Sequence, residues 1–267
     1  MSSLFSLIPP GEEEVSLDVL EEAVAEEDLL VDCLTDEELY WLRGSASTTD
    51  PTMDEPYLST LADEVRSVAI DSGLRSLIAK GMVDLDPEHP EDMEIVGPYA
   101  LVGMMRGSAE AVTRVRLDAT DHPPMRVAYF RVSASLVLTE EVSDDGFHDF
   151  VLQAPQAAAM SMVSIFDRAR RAGDVSHMWE CTDDRNELAD RVEALAARAG
   201  HTALVVSAGL DHRGAHYERL LTVYGLDDGV WVFWSEHHAA GEEFVLGRVG
   251  AADLYGVAEG LITGRSR

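Results

Sequence analysis

The clearest alternation of apolar and polar residues lies between residues 217 and 249. Tyr217–Tyr224 and Val230–Glu236 are dense in β-branched and aromatic residues, which favour strands. Asp227-Asp228-Gly229 joins them, and its glycine can take the positive φ that hairpin turns require. We therefore predict an antiparallel hairpin. The elements predicted after it are a polar loop at His237–Glu242, a strand at Glu243–Val249 and a helix at about Ala251–Ile262.

A similar order of elements occurs earlier in the chain. The pattern predicts strands and then a helix at Val112–Leu117, Met125–Val132, Leu136–Val142, Phe147–Leu152 and about Gln156–Ala172. A second Asp-Asp-Gly turn, at residues 144–146, lies within this series. We interpret the two series as a degenerate duplication built around a shared antiparallel sheet, with the two turns at equivalent positions.

The N-terminal third is predicted to be helical. A helix is expected at about Leu17–Glu27, and Thr35 with Glu38 forms a capping-box pattern that begins a short helix. The longest predicted helix is Ser59–Lys80, in which Gly73 separates two apolar stripes and marks a bend. Gly81 is a suitable residue to follow its C-terminus.

These elements predict an α+β fold with a central antiparallel sheet, made of two quasi-repeated halves flanked by helices. The expected organisation is an acidic helical segment at residues 1–57, a first α+β half at 58–172 and a second at 173–267. We expect the three segments to form a single globular unit, because 267 residues can bury one sizeable core.

The charge of the chain is strongly negative and unevenly distributed. The net charge is −30, and residues 1–100 contribute −21 of it, from 25 acids and four bases. Such a field repels phosphate backbones and anionic lipid surfaces. We therefore expect neither nucleic acid nor a membrane as partner. Simple solubility and a basic polypeptide partner both remain consistent with the acidity.

The sequence predicts a cytoplasmic protein. Its N-terminus lacks the basic region of a signal peptide, and no apolar run approaches the roughly 20 residues that span a bilayer. The two cysteines, Cys33 and Cys181, are too few for a disulfide framework and lie in no metal-binding spacing.

The sequence gives only weak support for catalytic or metal-binding residues. His237-His238 and Glu242-Glu243 offer metal-ligand types, but neighbouring side chains on an extended segment point in opposite directions, so a solvated loop is favoured. The Asp-Asp-Gly turns fit backbone turn chemistry better than acid–base catalysis. Acids near Cys181 would raise its pKa and make it a poor nucleophile. We therefore predict no enzyme activity, no metal and no cofactor.

Methionines supply the candidate binding residues, since their flexible side chains adapt to varied apolar partners. The predicted partner-binding residues are Met104, Met105, Met160, Met162 and Phe166. Met160, Met162, Val163 and Phe166 lie on one predicted helix at a mixed spacing that is too wide for one buried stripe, and a groove for a partner helix would explain it. Ordinary core packing is the alternative.

The order of elements resembles the EspG-like chaperones of type VII (ESX) secretion. The likeness is carried by the acidic helical start, a helix ending LRSLIAKGMVD, two similar halves and the closing segment RLLTVYGLDDGVWVFWSEH. The resemblance implies a quasi-two-fold α+β fold and a non-enzymatic cytosolic chaperone for a helical secretion substrate. The chain departs from it in the acidity of residues 1–100 and in lacking a clear opening strand. The alternatives are a regulatory or structural α+β protein and, less favoured, a hydrolase-type enzyme.

Overall fold

The computed structural model describes residues 2–4, 16–42, 55–85, 93–96, 98–174, 180–181, 185–211, 213–238 and 241–265. The chain forms two compact units. Unit 1 comprises residues 1–109 and 135–154, and unit 2 comprises residues 110–134 and 155–267. These boundaries differ from the three segments predicted from the sequence, because the chain leaves unit 1 after residue 109 and returns to it for a single hairpin.

Within its described residues, unit 1 has four α-helices and a sheet in the order β1-β2-β8-β7, in which β1 and β2 pair in parallel and the other pairs are antiparallel. Its helices are α1 (Leu17–Glu26), α2 (Asp36–Leu42), α3 (Asp63–Ala79) and α4 (Pro98–Ser108). Its strands are β1 (Ser2–Ser3), β2 (Leu29–Thr35), β7 (Val137–Val142) and β8 (Phe147–Gln153), with a separate hairpin of β3 (Val83–Leu85) and β4 (Met93–Ile95).

Unit 2 contains an antiparallel sheet in the order β6-β5-β10-β11-β12-β13-β9. Its strands are β5 (Ala111–Ala119), β6 (Met125–Arg131), β9 (Glu180–Cys181), β10 (His201–Leu210), β11 (His216–Leu226), β12 (Gly229–His238) and β13 (Gly241–Val249). Its helices are α5 (Pro155–Phe166), α6 (Arg185–Ala196) and α7 (Ala251–Thr263). The predicted α+β fold is therefore confirmed.

The repeated order of elements is present but differs in detail from the prediction. A helix, four strands and a helix occur twice, as α4-β5-β6-β7-β8-α5 and as α6-β10-β11-β12-β13-α7. Inside unit 2, β5 pairs with β10 so that Val115 lies opposite Val205 at the centre of the pairing. The helices that close the two series, α5 and α7, also pack together.

The predicted equivalence of the Asp-Asp-Gly turns is wrong. The first turn joins the third and fourth strands of its series, whereas the second joins the second and third. Gly146 and Gly229 both have positive φ, at 77° and 145°. This turn chemistry suits any tight hairpin and therefore does not mark corresponding positions.

Strand β2 is the longest of the strands that the sequence pattern missed. Its register shifts between Leu30 and Asp32, and this irregularity breaks the alternation by which a strand is recognised. The predicted loop at His237–Glu242 is also wrong, since β12 extends to His238 and β13 begins at Gly241. The helix predicted to reach Ala172 ends at Phe166.

The capping box at the start of α2 is confirmed. The Glu38 amide donates to Thr35 Oγ1 over 3.3 Å, and the Thr35 amide donates to Glu38 Oε2 over 3.1 Å. Glu38 Oε1 also accepts from the Ser76 hydroxyl and pairs with Lys80, each over 2.6 Å. One buried carboxylate therefore joins the N-terminus of α2 to the C-terminal turns of α3.

Gly73 is a contact point between α2 and α3. A Cβ atom at this position would overlap the carbonyl group of Glu37. The stripe containing Leu77, which is fully buried, faces the unit interior, whereas Val65 and Val68 of the other stripe are exposed. The two helices can approach closely only because residue 73 lacks a side chain.

We expect Gly73→Ala to destabilise unit 1 by about 1–3 kcal/mol, because the added methyl group must displace a neighbouring helix backbone. The matched control is Gly107→Ala in α4, where a Cβ atom meets nothing within 4 Å. That variant should gain up to about 1 kcal/mol from helix propensity. Urea denaturation of both variants tests the contact, and equal effects would contradict it.

Candidate functional site

The two faces of the unit 2 sheet have different surroundings. Side chains alternate along β5 and β10, and odd-numbered residues such as Val115 and Val205 are fully buried. Thr113 belongs to this buried set and donates through its hydroxyl to Leu261 O of α7 over 3.2 Å. Helix α7 therefore lies on the odd-numbered face, and even-numbered residues point to the opposite face.

Three large apolar side chains are exposed together on the even-numbered face. Leu204, Val206 and Leu220 are 42%, 38% and 42% exposed. Leu204 and Val206 are neighbours on one face of β10, and Val206 lies directly opposite Leu220 on β11. The three side chains are contiguous, and we call them the open patch. Contiguous exposed apolar surface commonly marks an interaction site.

Arginines border the open patch on the side of β5 and β6. Arg116 pairs in register with Leu204, and Arg114 pairs with Val206. Arg126 lies opposite Arg116 on β6. We call these three residues the arginine row. Arg116 also forms an ion pair with Asp118 over 3.3 Å in which both side chains are about half exposed.

Helix α6 covers another part of the same sheet face. Leu188 and Leu195, both 6% exposed, pack with Tyr224, Leu226 and Leu246. Val192 is partly buried against this cluster, which gives α6 an apolar stripe with spacing i, i+4, i+7. The face therefore already binds one amphipathic helix of the chain itself.

The five predicted binding residues are divided between core and surface. Met105, Met162 and Phe166 are 1%, 0% and 0% exposed, so they are core residues and present no surface to a partner. Met104 in unit 1 and Met160 in unit 2 are 50% and 55% exposed. The structure therefore brings no group of these residues together on one accessible surface of either unit. Of the five predicted binding residues, Met104 and Met160 keep exposed side chains, one in each unit.

The open patch and the arginine row were not identified from the sequence. The segment LVV at 204–206 is apolar on both faces, so its alternation gives no signal of which side is covered. Arg114 and Arg116, alternating with Val115 and Leu117, carried a usable signal that one face of β5 is polar.

A cluster of buried ionisable groups lies in unit 1. His148 is fully buried and bonds through Nε2 to Asp36 Oδ1 and through Nδ1 to Glu140 Oε1, each over 2.6 Å. Arg106 Nε lies 3.1 Å from Glu140 Oε2. Asp36 also accepts from the Leu58 amide over 2.8 Å. These bonds join α2, α4 and the β7–β8 hairpin of the same unit.

Burial by itself lowers the pKa of His148, but the hydrogen bonds and charges of Asp36 and Glu140 outweigh it and raise the pKa. The imidazolium form donates from both ring nitrogens, as the two carboxylate contacts require. Because the exposed fractions of Asp36, Glu140 and His148 are 0–1%, no substrate reaches them in this structure. The cluster has the properties of a structural ion network.

Cys33 and a cleft in unit 2 bring further ionisable groups to consider. Burial, followed by the nearby Asp149, raises the pKa of Cys33 to about 11, so its thiol is protonated near neutral pH. Unit 2 has a cleft of about 420 Å³ that includes Asp121, His122 and Arg171. His122 Nε2 lies 3.4 Å from Asp121 Oδ2, and Arg171 forms an ion pair with the exposed Asp227. The cleft therefore lacks the buried ionisable cluster that marks many active sites.

Among the described residues, no group of three or more His, Cys, Asp or Glu is placed to hold a metal ion. The side chains of His237, His238, Glu242, Glu243 and Cys181 lie outside the described part of the chain. None of the helices in the described ranges is long and apolar enough to cross a membrane.

Comparison of the chain with protein-family models and with curated proteins finds no match.

The contacts of His148 with Asp36 and Glu140 predict that the stability of the fold depends on pH. A folded-state pKa above the unfolded value of 6.5 stabilises the fold below pH 6.5, and this contribution is lost as the pH rises through the folded pKa. We therefore expect the free energy of unfolding to fall with pH above 6.5, measured by urea denaturation. His148→Gln should remove this slope, whereas His122→Gln, at a half-exposed histidine, should keep it. An NMR titration of His148 in the unsubstituted chain provides an independent check, and an imidazole that is neutral at pH 6 contradicts the prediction.

Proposed function

We propose that this protein is a non-enzymatic polypeptide-binding protein that holds an amphipathic helix of its partner against the open patch of unit 2. The observation that carries the proposal is the contiguous exposure of Leu204, Val206 and Leu220 on a sheet face that α6 already uses for helix packing. A helix is the proposed occupant because α6 binds the same face through three apolar residues.

The geometry of the open patch suits a helix. Strands β6, β5, β10 and β11 are consecutive neighbours in the sheet. At spacings of about 4.8 Å they make a surface roughly 14 Å wide, which accommodates one helix about 10 Å in diameter. Apolar side chains at i, i+4 and i+7 of a helix span about 10.5 Å along its axis, enough to contact all three patch residues. Burying these side chains on binding would release the water that now contacts them.

In its most specific form, the proposal is a cytoplasmic chaperone for a helical secretion substrate, as the resemblance to EspG-like proteins implies. A chaperone of this kind shields an apolar helix until its substrate is delivered. The exposed apolar side chains of the open patch support the shielding step, and the identity of the substrate rests on the resemblance alone.

A peptide of residues 185–199 tests the proposal, because this segment includes α6 and therefore already fits the sheet face. We expect it to bind the whole protein in fluorescence anisotropy, and a version with Gln at positions 188, 192 and 195 to bind at least tenfold more weakly.

In the protein, Val206→Thr with Leu220→Thr keeps strand-compatible residues but removes apolar contact. This double variant should weaken binding by about 1–2 kcal/mol, or roughly tenfold.

The control is Val68→Thr, the same chemical change at a 66% exposed position on α3 of unit 1. It should leave the affinity unchanged. Equal binding of the two peptides contradicts the proposal, and loss of binding in Val68→Thr alone would assign the contact to α3.

A further inference from the structure

The charged surroundings of the open patch specify the chemistry of its partner. We propose that the patch selects an amphipathic helix whose flanks carry acidic side chains, an inference that rests on the proposed function. The apolar stripe of the partner would cover Leu204, Val206 and Leu220. Carboxylates on one flank would then lie over the arginine row on β5 and β6.

The register of the sheet places the arginine row beside the patch. Arg116 and Arg114 lie directly across from Leu204 and Val206, one strand away, and Arg126 lies one strand further. Neighbouring strands are about 4.8 Å apart, so a helix about 10 Å wide centred on β10 has its flank above these guanidinium groups. The planar guanidinium fork binds a carboxylate through two hydrogen bonds.

The existing ion pair of Arg116 does not prevent this contact. Its partner Asp118 is 53% exposed and Arg116 is 48% exposed, and such surface pairs contribute little stability. A carboxylate on a partner helix can therefore replace Asp118 at low cost while the apolar stripe provides most of the binding free energy.

The open patch lies in the less acidic of the two units. Unit 2 holds 15 of the 20 bases and 20 of the 50 acids, a net charge of −5, whereas unit 1 holds five bases and 30 acids, a net charge of −25. At physiological ionic strength, exposed charges are screened beyond about 8 Å. Among the charges that the sheet register places on this face, the three arginines outnumber Asp118, beside Arg116, and Glu218, beside Leu220, so the border of the patch is net positive.

Two peptides derived from residues 185–199 test this inference on the full-length protein. Both keep Leu188, Val192 and Leu195. One carries Glu and the other Lys at the four flanking positions 189, 191, 196 and 198, so the preference does not depend on the direction in which the helix lies. We expect the Glu peptide to bind the unsubstituted protein more tightly than the Lys peptide by about 5-fold or more.

The decisive variant is Arg116→Glu, which should weaken binding of the Glu peptide about 2- to 5-fold and strengthen binding of the Lys peptide by a similar factor. The control Arg168→Glu makes the same change in net charge at an exposed position after α5 and should alter neither affinity by more than a small, non-selective amount. Thermal denaturation confirms that both variants fold.

The outcomes separate the two proposals. If the unmodified peptide, the Glu peptide and the Lys peptide all fail to bind, the proposed function is wrong. If the Glu and Lys peptides bind equally and Arg116→Glu changes neither affinity, the open patch still binds a helix but the acidic preference is overturned. A preference for the Lys peptide in the unsubstituted protein also overturns it.

Discussion

The alternation of side chains along β5 and β10 is the constraint on which unit 2 depends. It directs Val115 and Val205 under the helices and Leu204 and Val206 to the opposite side. A shift of one residue in the register would exchange these sets and place arginine side chains in the core. The register therefore decides both which residues lie under α7 and which residues point to the face of the open patch.

Partly buried hydrogen bonds at the C-terminus of α7 hold this arrangement in place. Arg131 of β6 donates to Thr263 O at the C-terminus of α7 and to Leu210 O. Arg219 of β11, 2% exposed, donates to Arg265 O over 3.2 Å and packs against the rings of Tyr217 and Trp234. Both arginines place positive charge beside the negative end of the α7 dipole.

Unit 1 is organised differently, around carboxylates. Asp36 stands at the start of α2, accepts from the Leu58 amide, and binds His148, while its own amide donates to Gly146 O over 2.8 Å. A Cβ atom at residue 146 would lie 2.9 Å from Asp36 Cγ, so the hairpin turn can dock on this group only as glycine. In unit 1, ionic hydrogen bonds fix the positions of the helices against the β7–β8 hairpin, whereas in unit 2 the alternation of side chains along the strands fixes which face of the sheet is buried.

Sequence patterns predicted the α+β class and the unit 2 strands β5, β6, β11, β12 and β13, because these segments are rich in β-branched and aromatic residues and are bounded by turn residues. They failed at β2, where a register shift interrupts that alternation, and at the methionines, because residue type does not determine burial. They also missed the open patch. Exposure of Leu204 and Val206 depends on where α6 lies on the sheet, and this is a property of the folded chain that no local pattern encodes.

The contact at Gly73 has a consequence for how relatives of this chain can be recognised. Any descendant that keeps the crossing of α2 over α3 must keep glycine there, since every other residue brings a Cβ atom into the Glu37 carbonyl group. Gly146, at φ 77° and against Asp36, is under the same restriction. Surface residues can diverge while these two positions stay under restriction, so an alignment of relatives that keep both contacts should show glycine at each of them.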